Sequence, residues 1–187
     1  MTLTGALLFA KHPEFLLPIF HLKAVSYPGT DIHTTTYLEN KDVVGRLETQ
    51  FEDSIAFVLR HSRWMQNGRG INSLGVLEIP RIVFEELIAN ALIHRDYFIS
   101  ASIRLFVFAD RVEIISPGHL PNNLSVANIR SGTSNIRNPI LASFATRILP
   151  CRGLGTGIVR ALQEYPAIEF EDDRERNEFR AIVRRKV

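Results

Sequence analysis

The sequence predicts an α+β fold that combines a mixed β-sheet with packed helices, and three observations support this prediction. Apolar side chains recur at helical spacing over residues 43–62, and acidic side chains lie off that stripe. A second apolar stripe predicts a helix over residues 81–94. Residues 102–108 and 112–116 are rich in β-branched and aromatic side chains, and the short link between them predicts a hairpin.

The first part of the chain predicts a short helix, a strand and then the amphipathic helix. Residues 4–10 predict the short buried helix, and residues 20–27 alternate between apolar and polar side chains well enough for a strand. Residues 28–42 are predicted to form a polar loop. Two glycines lie within residues 67–72, where we expect a domain boundary or a flexible connection.

The second part predicts an alternation of strands and helices. Residues 74–79 predict a short extended segment, and Pro80 suits the first turn of the next helix because its missing N–H costs nothing there. Asn138 is the predicted N-cap of a helix that ends near Leu149. We expect that helix to bury five apolar side chains, which are Ile140, Leu141, Phe144, Ala145 and Ile148.

The last part of the chain predicts one more helix and a pair of strands. The helix begins after Gly157 and ends near Tyr165. Residues 167–171 and 179–184 predict the strands, because apolar side chains alternate there on either side of a charged turn.

The composition is that of an ordinary globular protein. The 187 residues are 45% hydrophobic and 22% charged, and no apolar run approaches the ~18 residues that span a bilayer, so we expect no membrane partner. Cys151 is the single cysteine, which excludes an intrachain disulfide framework and a zinc site built from cysteines. A cytoplasmic location is therefore predicted.

Positive charge is concentrated in one stretch of the chain. The net charge is only +2, but residues 114–163 contain no carboxylate and carry five arginines, at positions 130, 137, 147, 152 and 160. A basic stretch rich in Gly, Ser and Asn favours an anionic ligand. The alternative is a solvated basic surface whose acidic partners lie elsewhere in the fold.

Three polar residues share one face of the helix predicted over residues 81–94. Glu86, Asn90 and His94 stand at i, i+4 and i+8, so their side chains follow one stripe with steps of about 6 Å. A carboxylate can orient or deprotonate a water molecule, and an amide oxygen is a ligand suited to Mg²⁺. An exposed polar helix face is the alternative.

Two glycine-bearing turns could approach a ligand. Gly118 follows the predicted hairpin, and a glycine lets a ligand come close to the backbone. Gly153, Gly155 and Gly157 precede a helix, whose free N–H groups could meet phosphate oxygens at the positive end of the helix dipole. The spacing differs from that of a dinucleotide-binding motif, and a simple helix-starting turn is the alternative.

Together these motifs resemble the ATP-binding boxes of the GHKL superfamily of gyrase, histidine kinases and MutL, which follow the same order. The closer similarity is to a bacterial and archaeal family of transcriptional regulators often labelled RecG-like ATP-dependent DNA helicases. That family shows N-A-x-x-H-R-D-Y, S-P-G, R-N-P and G-[TS]-G-I in this order. The matching segments here are residues 90–97, 116–118, 137–139 and 155–158.

The resemblance implies a Bergerat-type nucleotide fold, with helices on one face of a mixed sheet and an N-terminal strand and amphipathic helix as an extension. It implies ATP and Mg²⁺ as ligands, Asn90 as the Mg²⁺ ligand, Glu86 as the general base, and Gly118 beside the nucleobase. The predicted phosphate contacts are Ser134, Arg137, Gly153, Gly155, Thr156 and Gly157. The motif also contains His94, Arg95 and Asp96. Three roles stay open for them, which are an ion pair, a hydrogen-bond network at the helix end, and catalysis.

The sequence departs from the superfamily at the base-reading turn. The superfamily carries an Asp in a D-x-G-x-G turn, whereas residues 116–118 are Ser-Pro-Gly, and Asp96 and Asp110 are the available substitutes. Base specificity is therefore open. A helicase motor is excluded because the chain is too small for one and has no G-x-x-x-x-G-K-[ST] loop. A kinase catalytic loop at residues 94–96 is rejected because the other kinase motifs are absent.

The resemblance also predicts the domain organisation. Residues 73–187 are expected to form the nucleotide-binding domain. Residues 1–72 are expected to be the trailing segment of an upstream domain, which in full-length relatives is an Alba-type, Schlafen-like nucleic-acid-binding domain. DNA would bind through that upstream domain, and direct DNA binding by the basic stretch is ranked last because the five arginines of residues 114–163 have no interleaved aromatic side chains except Phe144.

The predicted function is an ATP- and Mg²⁺-binding module of a DNA-binding transcriptional regulator, with nucleotide occupancy as a switch. Slow hydrolysis through Glu86 is compatible with this role and is not required by it. The alternative is a degenerate Bergerat fold that binds no nucleotide and serves as a dimerisation or partner-binding module. A homodimer is compatible with either function.

Overall fold

A six-stranded mixed sheet forms the centre of the structure, a computed structural model that describes residues 1–66, 75–150 and 155–186. Its strands are Leu22–Ser26 (β1), Glu39–Val43 (β2), Ile103–Val107 (β5), Arg111–Pro117 (β6), Ile168–Asp173 (β7) and Glu178–Arg184 (β8). They lie in the order β2-β1-β5-β6-β8-β7. Two short strands, Trp64–Met65 (β3) and Val76–Leu77 (β4), pair separately.

The helices of the described residues are Leu3–Phe9 (α1), Pro13–Leu16 (α2), Leu47–Arg60 (α3), Arg81–His94 (α4), Val126–Arg130 (α5), Pro139–Ile148 (α6) and Gly157–Glu164 (α7). The strands β1 and β5 pair in parallel, from Leu22 opposite Ile103 to Ser26 opposite Val107. Parallel pairing requires a crossover, and α3 and α4 lie in that connection. The other neighbouring strands of this sheet pair antiparallel.

The helices pack on one face of the sheet. Leu105 and Val107 of β5 belong to the main core together with side chains of α3 and α4. Phe106 and Phe108 point the other way and form a small cluster with Ile115. This division follows from the alternation of side chains along a strand. The predicted α+β fold, a mixed sheet with helices layered on it, is confirmed.

Several predicted elements are confirmed within a few residues. The helix α4 coincides with the predicted residues 81–94. The amphipathic helix begins four residues later than predicted, and α3 buries four residues of its predicted stripe, which are Leu47, Phe51, Ile55 and Val58. Val44, the first residue of that stripe, precedes the helix and is 41% exposed, so its predicted burial is wrong. The predicted hairpin and the final strand pair correspond to β5–β6 and β7–β8.

The polar loop predicted for residues 28–42 is wrong at its end, because β2 begins at Glu39 and pairs with β1. Only Val43 of this strand is buried, and the others are exposed or half-buried. Charged, exposed side chains are typical of an edge strand, and they hide the alternation on which a strand prediction depends.

The predictions for α6 are partly wrong. Leu141 and Ala145 are buried as expected, but Ile140 is 65% exposed, and Phe144 and Ile148 are 39% and 38% exposed. This helix lies at the margin of the helical layer and packs against α4 along a narrow strip. Burial of only two of the five side chains leaves an apolar face in solvent.

Asn138 precedes α6 as predicted, but its side chain makes no capping hydrogen bond. Its amide Nδ2 donates instead to the carbonyl oxygens of Ile93 and Arg95, at 2.8 and 2.9 Å. These carbonyls belong to the end of α4, where the last C=O groups lack helical partners. Asn138 therefore satisfies the end of one helix while it precedes another.

The predicted boundary at residues 67–72 lies outside the described residues. The six-stranded sheet contains β1 and β2 from before that boundary and β5 to β8 from after it. The division at residue 72 stays a prediction. In the part of the chain that the structure describes, no helix is both long and apolar enough to cross a bilayer.

Candidate functional site

The helix α4 carries the polar stripe from which the site is built. Its other faces are almost wholly apolar and pack into the core, so the helix is fixed on the sheet. Glu86 is 4% exposed, and Asn90 and His94 are half-buried. Asn90 Nδ2 donates to the Glu86 carbonyl oxygen at 2.8 Å, one helical turn earlier. The stripe is therefore an inward-facing surface and not the exposed polar face of the alternative.

The first turn of α7 packs directly on this stripe. A Cβ atom at Gly157 would meet Glu86 Oε2 and would lie 3.2 Å from Asn90 Nδ2. Gly155 has a φ of +69°, and a Cβ there would lie 2.6 Å from Ser134 Cβ. Glycine is thus required at both positions for the backbone to approach these side chains. Thr156, between them, is the residue that precedes α7.

An ion pair joins the two helices across this contact. Arg160, in the second turn of α7, places Nη2 2.8 Å from Glu86 Oε1. The Glu86 side chain is 5% exposed and that of Arg160 is 23% exposed. The carboxylate also lies at the positive end of the α7 dipole, which favours its charged form.

The predicted turn at Gly118 is held by a second ion pair. Arg137 Nη1 lies 2.6 Å from Asp96 Oδ2, and Arg137 Nη2 donates to the His119 carbonyl oxygen. Gly118 has a φ of +97°, and a Cβ there would lie 2.5 Å from Arg137 Nη1. The structure thus joins three of the sequence motifs: the end of α4, the Ser-Pro-Gly turn and the Arg-Asn-Pro segment.

The side chain of the motif residue Arg95 is buried between aromatic rings. Its side chain is 1% exposed, and its guanidinium carbon lies 4.8 Å from the ring centroids of both Phe20 and Tyr97. Nη2 donates to the Ala101 carbonyl oxygen at 2.5 Å. Burial lowers the pKa of this guanidinium from its ordinary value. Arg95 thus connects the end of α4 to the segment before β1.

His94 lies where the two main cavities of the described protein meet. It lines both of them, between Asn90 and the loop at Asn135. Burial lowers the pKa of its imidazole, and the charge of Arg137 lowers it further, while a hydrogen bond with the Asn135 backbone opposes both effects. The neutral imidazole is therefore the favoured form near pH 7.

One cavity is mainly apolar and lies between α4, the sheet and the loop after Gly118. Its empty volume is ≈ 780 Å³, which includes space open to solvent. The apolar side chains around it include Leu87, Ala91, Ile114, Leu120, Ile129 and Phe179. Among the described residues that line it there is no carboxylate.

The other cavity is more polar and lies between α4, α6 and α7. Its empty volume is ≈ 860 Å³. Its polar side chains include Glu86, Asn90, Ser143, Thr146, Thr156 and Arg160. Four residues line both cavities, namely Asn90, His94, Ser134 and Gly155. The two cavities therefore adjoin one another along the polar stripe of α4, and together they are called the groove.

The structure brings together most of the predicted site residues. Gly118, Ser134, Gly155, Thr156 and Gly157 line this groove together with Glu86, Asn90 and His94. Arg137 and Asp96 line neither cavity and are bound to one another beside it. Gly153 lies outside the described residues. Asp110 lies in the β5–β6 hairpin, paired with Arg111, and lines neither cavity.

The contact of Arg160 with Glu86 was not predicted, because Arg160 was counted only within a basic stretch. The signal was available, because Arg160 follows Gly157 by three residues on the same helix and therefore shares its face. Phe179 lines the apolar cavity and belongs to β8, which lies beside β6 in the sheet. No local motif marks it.

Comparisons with known proteins agree with an ATPase-like domain in the second half of the chain. Residues 100–183 match the model of a family described as "Putative ATP-dependent DNA helicase recG C-terminal". The match covers the hairpin, the Gly118 turn and α7, and it begins after α4. It extends over slightly less than half of the chain.

A solved structure shares the fold. The crystal structure of the DIP2311 protein from Corynebacterium diphtheriae superposes with a TM-score of 0.73 and 22% identity. The alignment covers 99% of this chain and 36% of that one, so the present chain spans about a third of that protein. No curated protein matches the sequence. The second half of the chain is thus similar to a RecG-related, ATPase-like domain, on a fold shared with the corynebacterial protein.

Proposed function

We propose that this protein is the nucleotide-binding module of a DNA-binding transcriptional regulator, and that it binds ATP with Mg²⁺ in the groove along α4. Nucleotide occupancy would act as a switch for an attached DNA-binding domain. The family match supports the ATPase-like part of this proposal. The Bergerat-type assignment and the regulatory role are supported by the order of the sequence motifs.

The adjacency of the two cavities is the observation that carries the proposal. An apolar cavity without a carboxylate suits a flat nucleobase, and the adjoining polar cavity contains backbone N–H groups at the start of α7. A helix start with close-packed glycines is a suitable environment for phosphate oxygens. The two chemical halves of a nucleotide, base and phosphate, thus find matching surfaces at adjacent places.

The donor set fits a Mg²⁺ ion that is held mostly by its nucleotide. Asn90 Nδ2 is engaged with the Glu86 carbonyl, which leaves the amide oxygen Oδ1 as the ligand atom of this side chain. Within the described residues there is no cluster of three or more acidic, His or Cys side chains that could hold a metal alone. Mg²⁺ in nucleotide sites is commonly bound by one or two protein groups together with phosphates and water. When bound, the ion would neutralise part of the negative charge of the phosphates.

Glu86 is the candidate general base. Its carboxylate is buried beside the start of α7 and lines the polar cavity, where it could orient a water molecule. Its Oε1 lies 2.8 Å from Arg160 Nη2. Slow hydrolysis through Glu86 is compatible with a switch and is not required by it.

Titration calorimetry with ATP, ADP and GTP, with and without Mg²⁺, tests the proposal on the whole chain, since β1 and β2 belong to the same sheet as the site. Asn90→Ala should weaken ATP binding about tenfold with Mg²⁺ and much less without it, because one ligand of the ion is lost. Asn40→Ala, an exposed change in β2, is the matched control and should alter neither affinity.

The same titrations test base recognition. Because no carboxylate lines the apolar cavity in the described part of the chain, we expect ATP and GTP to differ in affinity by less than about tenfold. Absence of heat for every nucleotide on a folded sample would refute nucleotide binding. Equal loss of affinity for Asn90→Ala with and without Mg²⁺ would remove Asn90 from the metal site.

A second function is favoured by a different surface. The side chains of Ile140, Phe144 and Ile148 stand at i, i+4 and i+8 on α6 and are 38% to 65% exposed. Phe9 of α1, 67% exposed, meets Phe144 edge to face at 6.1 Å. An exposed apolar stripe of this kind supports the alternative of a dimerisation or partner-binding module. Analytical ultracentrifugation tests whether the protein self-associates through this stripe. If it does, the wild type should sediment as a dimer and Phe144→Ser as a monomer.

A further inference from the structure

The polar cavity holds one pair of opposite charges, the Glu86–Arg160 ion pair, among the described residues that line it. The pair uses Nη2 of the guanidinium and Oε1 of the carboxylate. Glu86 is the more deeply buried partner, and Arg160 reaches it from α7 with part of its side chain open to the cavity. The cation is therefore positioned to meet any anion that enters the cavity.

A phosphate chain would meet a conflict of charge in this cavity. A buried carboxylate repels phosphate oxygens, and the repulsion is strong where the surroundings exclude water. An arginine in the same place attracts them and binds planar oxyanions with paired hydrogen bonds. Glu86 and an incoming phosphate thus compete for the same guanidinium.

The mobility of the two partners is unequal. Glu86 projects from α4, whose remaining faces are fixed in the core, and its Oε2 lies against the first turn of α7. Arg160 has a long side chain that is 23% exposed and joins α7 to the cavity. In such a competition the guanidinium can change partner by rotation of its own side chain, whereas the carboxylate lies against the first turn of α7.

We propose that Arg160 is an exchangeable phosphate-binding residue, paired with Glu86 in this structure and transferred to nucleotide phosphate oxygens on binding. This inference rests on the proposed nucleotide site and adds a regulatory element to it. Transfer of the guanidinium would leave the Glu86 carboxylate without this cation, and therefore more basic, only while a phosphate chain is bound. The ion pair would thus couple phosphate recognition to activation of the general base.

A double-mutant cycle tests the exchange, with Glu86→Gln, Arg160→Met and the double variant. The probes are adenosine, ADP, ATP and inorganic tripolyphosphate, each with Mg²⁺, titrated by calorimetry. Arg160→Met should weaken ATP and tripolyphosphate binding by about 10- to 100-fold, the usual effect of losing a charge-assisted hydrogen bond. Adenosine binding should change by less than about twofold, because adenosine has no phosphate.

Glu86→Gln gives the sharper result. If Arg160 must leave Glu86 to bind phosphate, removal of the carboxylate charge should strengthen tripolyphosphate binding by about tenfold. This gain should be clearly smaller in the Arg160→Met background, where Glu86→Gln relieves only repulsion and no competition for the guanidinium. An equal gain in both backgrounds would show simple repulsion by Glu86 and would overturn the exchange.

Controls separate the exchange from loss of structure. Arg147→Met removes an exposed arginine of α6 that does not line the cavity, and its affinities should equal those of the wild type. Arg160→Lys retains the charge and should recover part of the tripolyphosphate affinity. If Arg160→Met alone is unstable because Glu86 loses this cation, the double variant, which carries neither charge, still reports the tripolyphosphate affinity without Arg160.

The outcomes also separate this inference from the nucleotide site itself. If neither the wild type nor Glu86→Gln binds any of the four probes, both proposals fail. If ATP and adenosine bind and Arg160→Met leaves their ratio unchanged, the nucleotide site stands and the exchange is refuted. If tripolyphosphate binds only after Glu86→Gln, Arg160 does not leave Glu86 for phosphate in the wild type, and the exchange is refuted.

Discussion

Two acidic side chains, one in the middle of α4 and one just beyond its C-terminal end, each pair with an arginine, and their surroundings differ. Glu86 and Arg160 lie 2.8 Å apart in the lining of the polar cavity. Asp96 and Arg137 lie 2.6 Å apart just beyond the helix end and line neither cavity. Asp96 also accepts a hydrogen bond from the Phe98 N–H, and Arg137 donates to the His119 carbonyl.

The difference separates an ion pair that can respond to a ligand from one that holds the fold. At the second pair, every described contact is with the protein itself and fixes the Gly118 turn beside the end of α4. At the first pair, a cavity adjoins the cation. Both pairs join a carboxylate to an arginine, and the Asp96 side chain is more exposed than that of Glu86, so access to a cavity and not burial is what distinguishes the two.

The largest expected effect is loss of stability when the Asp96–Arg137 pair is broken. Arg137→Met should lower the free energy of unfolding by about 2 to 4 kcal/mol, because a mostly buried carboxylate and a carbonyl lose their donor. Urea unfolding measures it. The matched control is Arg176→Met, whose pair with Asp173 is exposed and should contribute less than about 1 kcal/mol. Equal losses of stability for both variants would show that the Asp96–Arg137 pair contributes no more to the fold than an exposed pair.

An intermediate effect is expected at the contact of α7 with α4. Gly157→Ala places a methyl group against Glu86 Oε2 and Asn90 Nδ2, so ATP affinity should fall about tenfold while unfolding changes by roughly 1 to 2 kcal/mol. Gly29→Ala is the control, since nothing lies within 4 Å of its Cβ position. Unchanged ATP affinity in Gly157→Ala would place the nucleotide elsewhere.

The smallest effect concerns the protonation of His94. Its pKa is lowered in the folded protein, so the unfolded chain binds more protons at pH values below the ordinary 6.5. Stability from this group is complete above pH 6.5 and is lost as the pH falls through the lowered pKa. Thermal unfolding of His94→Gln between pH 5 and 8 should therefore show a shallower acid-side decline than the wild type, by less than about 1 kcal/mol. Parallel curves would contradict this.

Much of the fold follows from local patterns in the sequence. The period of apolar side chains was sufficient for α3 and α4, and β-rich runs with short turns were sufficient for β5 to β8. The same apolar pattern failed to predict which side chains are buried where burial depends on the position of a helix in the helical layer. The helix α6 has five regularly spaced apolar residues, but it lies at the margin, and only Leu141 and Ala145 reach the core.

The site was predictable to the extent that it is local. Glu86, Asn90 and His94 share a face because of helical spacing alone, and the glycines before α7 mark a close approach. The partners of these residues depend on tertiary packing, which the sequence does not state. Arg137 was expected at a phosphate, and the structure has it bound to Asp96; its role in phosphate binding stays a prediction.

The parallel pairing of β1 with β5 bears on how the molecule folds. Leu22 and Ile103 are neighbours in the sheet although 81 positions separate them in the chain. Closure of so long a loop is entropically costly and slows folding relative to a chain of local hairpins. Until β1 arrives, β5 has an unpaired edge that can recruit another chain. Shortening the protein from its N-terminus would make that edge permanent, so aggregation of such fragments would reflect an open sheet and not a defective nucleotide site.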